Sequence, residues 1–375
     1  MKLRKLLVIL GILLVFSAGF SAGIFFGKSA GQKQSSITNE APLSKKTPKQ
    51  KEVPGQKEKK RKVLIGYIQD FRDPEMVDYS KLTHVIFSFA HPTKDGAIVL
   101  NGEMAMKHLR AHVAKAENTG TKVMLAVGGW YHIYGGESYD YFKTAIANPD
   151  SRTRLVNELV RFVEREKLNG VDVDFEHPRS AEDAQNLAVF IKELSEKLHP
   201  KQKELSVAVH AKIHSVTLKE LYFVQYDPAM FAHVDHVNIM AYDGQWDGDY
   251  NAANLSPYPF VEKIVNYWAD LFDANHLPKE KLVLGVPSYA QPENPETKPL
   301  SYATIVEHDP ASAKRDTVEM NGTTYHYNGE ETIQKKTRLA LDRGFGGMMV
   351  WELGQDLQGE YSLTGNIASI LMQNT

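Results

Sequence analysis

The chain has 375 residues, enough for one large domain or two ordinary ones, and its 42% hydrophobic and 24% charged residues describe a mostly globular protein. It contains no cysteine, which excludes disulfides, thiolate metal sites, cysteine nucleophiles and a lipid-modified N-terminal cysteine. The net charge of −2 hides an asymmetry: 14 Lys/Arg against 3 Glu within residues 1–62 give +11 and leave −13 for the remainder, an acidic balance that argues against nucleic acid as a partner.

Lys2, Arg4 and Lys5 precede an apolar run from Leu6 to about Phe26. This is a positive n-region followed by a hydrophobic segment that is long for a signal peptide and just long enough to span a bilayer. Small residues such as Ser17, Ala18, Ala22 and Gly23 offer a cleavage region, but no clean A-x-A is present. Residues 1–27 therefore read as a signal anchor or signal peptide, with the uncleaved anchor favoured. The rest is expected to be exported, held at the cell surface or secreted. Residues 28–62, rich in Lys, Gln, Ser and Pro, read as a disordered tether. A flexible chain of that length has an end-to-end distance of roughly 30 Å. Its positive charge suits contact with anionic lipid or wall polymer, or serves a plain solubilising spacer.

From Val63 onward, apolar and β-branched strand candidates recur: Val63–Gln69, His84–Ala90, Lys122–Gly128, Gly170–Glu176, Leu205–His210, His236–Tyr242, Leu282–Tyr289 and Gly346–Glu352. Most are near-continuous apolar runs, as expected for parallel strands covered on their outer face. Helical stripes lie between them. Leu155, Leu159, Phe162 and Val163 follow Asn148 as N-cap and Pro149 at the first position. Leu187, Phe190, Ile191, Leu194 and Leu198 follow Ser180, and Val261, Ile264, Val265, Trp268 and Leu271 form a third stripe. Eight strand–helix alternations predict an α/β fold, a closed (β/α)8 TIM barrel occupying residues 63–375. An open doubly wound sheet would call for a phosphate loop after the first strand, and none follows Val63–Gln69.

The fourth strand carries the strongest chemical signal. Side chains alternate along a strand, so Val171, Val173 and Phe175 share one face and Asp172, Asp174 and Glu176 the other. Alternate side chains sit roughly 6–7 Å apart, so each charge raises the pKa of its neighbours. Such a row suits carboxyls that share protons near neutral pH. A solvated acidic face and a metal site are the competing readings. On a barrel, strand C-termini line the active-site mouth, which puts Glu176 at the rim, Asp174 below it and Asp172 deeper.

Asp172-x-Asp174-x-Glu176 after Gly170 resembles the D-x-x-D-x-D-x-E signature of glycoside hydrolase family 18, the chitinases and endo-β-N-acetylglucosaminidases. Other strands agree in order. Ala126-Val127-Gly128-Gly129-Trp130 resembles the S-x-G-G motif of the third strand, and Met240-Ala241-Tyr242-Asp243 the M-x-Y-D motif of the sixth. Lys281–Tyr289 resembles K-L-V-L-G-x-P-x-Y, and Gly346–Glu352 the last strand with its tryptophan, Trp351. The resemblance spans about residues 63–373. It implies that Glu176 is the general acid and that the nucleophile is the substrate's own 2-acetamido carbonyl oxygen. Asp174 would orient the acetamido N–H, Asp172 would share a proton with Asp174, and Tyr242 would hold the acetamido carbonyl. Trp351 would floor the distorted sugar, with Met240 and Asp243 beside it. Trp130, Trp246 and Tyr289, with Tyr131, Tyr134 and Tyr250, lie in or beside post-strand loops, where they either stack on sugars or pack the loops.

Cleavage of β-1,4 linkages next to N-acetylglucosamine with retention follows from the resemblance, with chitin or its oligomers as substrate. The alternatives are an endo-β-N-acetylglucosaminidase acting on glycoprotein glycans or peptidoglycan, and a non-catalytic glycan-binding lectin. No cofactor and no metal are expected, because the spacings of His177, His210, His214 and His236 match no standard metal motif. Several positions depart from the family pattern. Asn169 stands in place of the first Asp, Phe175 in place of Trp and His177 in place of Tyr. Ala126 removes a serine hydroxyl that would bond Asp172. Residues 290–331 are short for the family's inserted α+β domain, which predicts a shallower groove and cutting within chains or off branched glycans.

Overall fold

A computed structural model describes residues 62–373. The expected membrane segment over 1–27 and nearly all of the expected tether over 28–62 lie outside the described residues. No helix among the described residues is long and apolar enough to cross a membrane.

The strands are β1 (Val63–Gln69), β2 (His84–Pro92), β3 (Ile98–Val99), β4 (Lys122–Gly128), β5 (Gly170–Asp174), β6 (Glu204–His210), β7 (His236–Met240), β8 (Leu282–Pro287), β9 (Tyr289–Pro292), β10 (Leu300–Ser301), β11 (Thr317–Met320), β12 (Thr323–His326) and β13 (Gly347–Trp351). Eight of them run parallel in the order β1-β13-β8-β7-β6-β5-β4-β2, and β2 pairs back onto β1, so the sheet closes on itself. This is the expected (β/α)8 barrel. The helices are α1 (Gly102–Ala116), α2 (Ser138–Ala147), α3 (Pro149–Arg165), α4 (Ala181–Leu198), α5 (Tyr258–Ala274), α6 (Tyr302–His308), α7 (Glu330–Asp342) and α8 (Leu363–Met372).

Helix starts follow the sequence signals. Asn148 accepts from the N–H groups of Asp150 and Ser151, with Pro149 in the first turn, and Ser180 caps α4 through the N–H of Asp183. α3 buries Leu155, Val156, Leu159, Val160, Phe162 and Val163 against the barrel wall. Each such side chain contributes about 1.5–3 kcal/mol on leaving water, so packing rather than intrinsic propensity holds the helix in place.

The period-two alternation separates two apolar regions. Val171, Val173 and Phe175 join the large cluster between strands and helices. Ile65, Tyr67, Ile86, Met124, Ala126, Tyr242, Val283 and Met349 form a second cluster inside the barrel. Asp172 and Asp174 are buried, on the strand face opposite Val171 and Val173.

Several strand ends differ by one or two residues from the sequence expectation, and two of the differences bear on the site. β5 stops at Asp174, so Glu176 lies two residues beyond the ladder. The expected strand Leu282–Tyr289 divides into β8 and β9 at Ser288, whose N–H and hydroxyl both turn to the carbonyls of Trp351 and Glu352. β9 then departs into a four-stranded antiparallel sheet, β10-β9-β12-β11, with α6 beside it. The insertion is therefore an ordered α+β lobe.

Candidate active site

Asp172 is the anchor of the site. It is fully buried in the barrel interior, where a bare carboxylate is costly. Three groups from three other strands meet it: Tyr67 on β1 donates to Oδ2 at 2.8 Å, Ser206 on β6 to Oδ1 at 2.5 Å, and Asn238 on β7 to Oδ1 at 3.1 Å. Asn238 also donates to the Tyr67 hydroxyl at 3.0 Å. Burial pushes Asp172 up to about 6, and the three donors hold it below where burial alone would put it.

No motif in the sequence marks these three partners. The available signal was a lone polar residue at an inward position of an apolar strand: Tyr67 in Val63–Gln69, Ser206 in Glu204–His210 and Asn238 in His236–Met240. Ser206 also corrects the expectation attached to Ala126. The hydroxyl missing at Ala126 on β4, which pairs with Asp172 in register, comes instead from β6 on the other side of β5.

Asp174 sits one layer higher, and its Oδ1 is buried without a hydrogen-bond partner. Burial, then the charges of Glu176 and Asp172, raise it well above the usual carboxylate range. Its carbonyl accepts the Gly129 N–H at 2.9 Å. A Cβ on Gly128, whose φ is +119°, would come within 2.0 Å of that same carbonyl oxygen, so the paired glycines let the third-strand turn close over the acids.

Glu176 is half-buried, open to solvent through the barrel mouth. Burial raises it to about 8, and the charge of Asp243 adds to the effect. Asp174 acts as well, since the two carboxyls each disfavour the other's ionisation, so the strand neighbour contributes beneath the larger effect of desolvation. A carboxyl so placed holds its proton at neutral pH.

The sixth-strand motif brings the next three groups. Met240 packs partly buried against the interior cluster. The ring of Tyr242 is buried, and its hydroxyl donates to Met349 Sδ at 3.9 Å, a weak acceptor that a carbonyl oxygen readily replaces. Asp243 takes a left-handed φ of 64°, which an Asp tolerates, and faces the mouth exposed. Tyr289 donates to its Oδ1 at 2.5 Å and Gln245 at 3.0 Å. Tyr289 is itself buried, so it positions Asp243 rather than offering a stacking face.

Trp351 closes the floor. Its ring is half-buried, 5.6 Å from Tyr67 and 5.8 Å from Phe89, and it packs on the interior cluster. The next residue, Glu352, is fully buried and engages Arg72 at 2.6 Å and the Gly354 N–H at 2.8 Å. With Ser288 on the Trp351 carbonyl, these bonds fix the backbone under the indole. The remaining aromatics divide. Trp130 is 40% exposed and lies 6.0 Å from the His177 ring, beside the acids. Trp246 is 49% exposed and leans on Tyr250 at 4.8 Å, whose hydroxyl is tied to the Pro292 carbonyl of the inserted lobe. Trp246 is a rim residue, and no contact joins it to Asp172, Asp174 or Glu176.

The model of the glycosyl hydrolases family 18 matches residues 59–356. Among known proteins, the chain is 25% identical over 342 residues to "Probable chitinase 10" of Drosophila melanogaster, covering 76% of this chain and 14% of that protein. It is 29% identical over 237 residues to a "chitinase-like effector" of Moniliophthora roreri, covering 57% and 53%. The chain therefore spans about half of one of these relatives and a small part of the other. Among solved structures, the GH18 chitinase ChiB of Flavobacterium johnsoniae superposes with a TM-score of 0.70 at 27% identity, over 84% of this chain and 96% of that one.

Replacing Ser206 by alanine removes the shortest bond to Asp172. The Asp172 carboxyl is expected to titrate above its present value of about 6, with a loss of about 1–3 kcal/mol in stability where Asp172 is ionised. Carbon-13 NMR of labelled aspartates and denaturant unfolding read both. An Asp172 titration unchanged in S206A would show that Ser206 does not support the site.

Proposed function

The chain belongs to the glycosyl hydrolases family 18, and on that basis we propose that it hydrolyses β-1,4 linkages adjacent to N-acetylglucosamine, with chitin or chitooligosaccharides as substrate. The observation that carries this reading is one mouth holding Glu176, whose burial favours its protonated form, above buried Asp174 and Asp172, with Tyr242 and Trp351 beside them.

Glu176 gives its proton to the glycosidic oxygen as the bond to the anomeric carbon breaks. The carbonyl oxygen of the substrate's 2-acetamido group attacks that carbon, forming a cyclic oxazolinium ion. Such substrate assistance is a known exception to the two-carboxylate scheme. Asp174, whose Oδ1 has no protein partner, accepts the acetamido N–H and balances the positive charge. The Tyr242 hydroxyl leaves Met349 to hold the acetamido oxygen in line, a positioning effect. Asp172 exchanges a proton with Asp174 while its three donors keep it in place. Glu176, now ionised, takes a proton from the water that opens the ring, and two displacements at one carbon give retention. Trp351 supplies the apolar floor. A glucan without the acetamido group lacks the nucleophile and does not react.

Glu176→Gln is expected to lower turnover by about 10²- to 10⁴-fold or more while glycan binding persists. Product analysis on chitin oligomers, peptidoglycan and high-mannose glycoprotein, run side by side with a binding assay, separates the readings. Binding without cleavage by the unmodified protein points to a lectin, and turnover surviving in E176Q removes Glu176 from its role.

The pH dependence has a fixed sign. A general acid works only while protonated, so kcat/KM is expected to fall as pH rises through about 8, where Glu176 loses its proton. A rate that stays level well above that pH would contradict this assignment.

We also propose that the enzyme is exported and works at the cell surface, tethered by residues 1–27 through the basic segment 28–62. Lys2, Arg4 and Lys5 ahead of the apolar run support this. Fractionation of cells making the full chain tests it: recovery with membranes fits an anchor, and soluble protein beginning near residue 24 fits a cleaved signal. Retention of intact, soluble chain in the cytoplasm would refute export.

A further inference from the structure

The barrel has a second constellation of chemistry-bearing side chains, at its other end. His84 opens β2, Lys122 opens β4, Glu204 opens β6 and His236 opens β7. Glu204 pairs in register with Gly170, six residues before Glu176 and two before Asp172, so along the strand direction these groups lie about 20 Å from Glu176 and about 7 Å from Asp172. One ligating atom from each of His84, Glu204 and His236 lies within 4.8 Å of the other two. His84 Nε2 is 2.8 Å from Glu204 Oε2, and the two imidazole rings stand 5.1 Å apart, nearly edge to face.

From this geometry we propose that His84, Glu204 and His236 form a site for Zn²⁺ or a similar late first-row divalent cation. Two neutral imidazoles and one carboxylate are a zinc donor set, with water as a fourth ligand. Such ligands lie about 2.0–2.2 Å from the metal, which puts neighbouring donors about 3.3–3.6 Å apart. The three side chains reach that spacing by moving about an ångström.

Three further observations support the assignment. The second nitrogen of His84, Nδ1, lies 2.8 Å from the Thr83 hydroxyl, which has Leu64 O at 3.0 Å to receive its own proton. In the metal-free pair His84 Nε2–H donates to Glu204 Oε2; a cation displaces that proton, and Nδ1–H donating to Thr83 then orients the ring, the outer-sphere arrangement of a metal-binding histidine. His236 Nδ1 is buried with no hydrogen-bond partner, and one nitrogen of that ring is among the three atoms that converge. Glu204 divides its oxygens: Lys122 holds Oε1, and Oε2 faces His84. The Lys122 side chain is 44% exposed, so its ammonium has solvent to move into when a cation arrives.

β2 and β6 are not sheet neighbours, since β4 and β5 lie between them. A cation bound here ties strands across the barrel floor. Its role is structural and leaves the reactive end alone.

The test uses the tag-free full chain, stripped with a chelator. Zn²⁺ titrated calorimetrically is expected to bind at one equivalent and raise the melting temperature, and Co²⁺ to develop the visible absorption of a four-coordinate site. Ca²⁺ and Mg²⁺, which prefer oxygen ligands, are expected to do neither. His236→Ala, at a partly exposed position, should weaken Zn²⁺ at least tenfold, while E176Q binds as the unmodified chain does. Absence of one-equivalent binding and of the Co²⁺ spectrum in the unmodified protein overturns the proposal and leaves an imidazole–carboxylate pair. Equal affinity in H236A overturns it as well. Should H236A fail to fold, the Co²⁺ spectrum of the unmodified chain still decides.

Discussion

The structure depends on keeping the Asp172 carboxyl inside a barrel packed otherwise with Ile65, Ile86, Met124, Val283 and Met349. An unsatisfied carboxylate at that depth would cost several kcal/mol. Tyr67, Ser206 and Asn238 offset the cost, and each reaches Asp172 only when β1, β6 and β7 take their places around the ring. Barrel closure and an ionisable floor under the reactive carboxyls are therefore one event. Above that floor the groups become progressively less satisfied: Asp174 has a buried oxygen without a donor, and Tyr242 has only a thioether for its hydroxyl. Those are the groups that the proposed mechanism turns towards the substrate.

The two ends of the barrel use the same periodicity for different tasks. At the C-terminal ends, inward positions carry Asp174, Glu176, Tyr242 and Trp351, held by turns that break the ladder: the left-handed Asp243, the glycine pair at Gly128 and the Ser288 tie to the Trp351 carbonyl. At the N-terminal ends, inward positions carry His84, Lys122, Glu204 and His236, held by the ladder itself. Reactive groups gather where the backbone is free to bend, and cross-linking groups where it is regular.

Where expectation and structure part, contacts distant in sequence are the cause. The Ala126 position predicts a lost hydroxyl beside Asp172, yet Ser206, 34 positions along the chain from it, supplies one. Tyr289 looks like a stacking aromatic from its place after a strand, but its hydroxyl is drawn to Asp243 across a separation of 46 residues. Glu176 looks tuned by Asp174 and Asp172 alone, but desolvation is the larger effect, and Asp243 on the loop after β7 adds to it.

The local pattern was sufficient for much of this protein. Alternation in Gly170–Glu176 placed three carboxyls on one face, the caps Asn148 and Ser180 started their helices where expected, and eight apolar runs alternating with helical stripes pointed to a closed parallel barrel. These features are properties of a few consecutive residues, and strand and helix periods express them directly. Tertiary structure alone decided which groups satisfy Asp172, that Asp243 adds its charge beside Glu176, and that His84, Glu204 and His236 share the barrel floor. Each of those depends on which strands face one another across the ring. Strand order is set by closure, and no single segment records it.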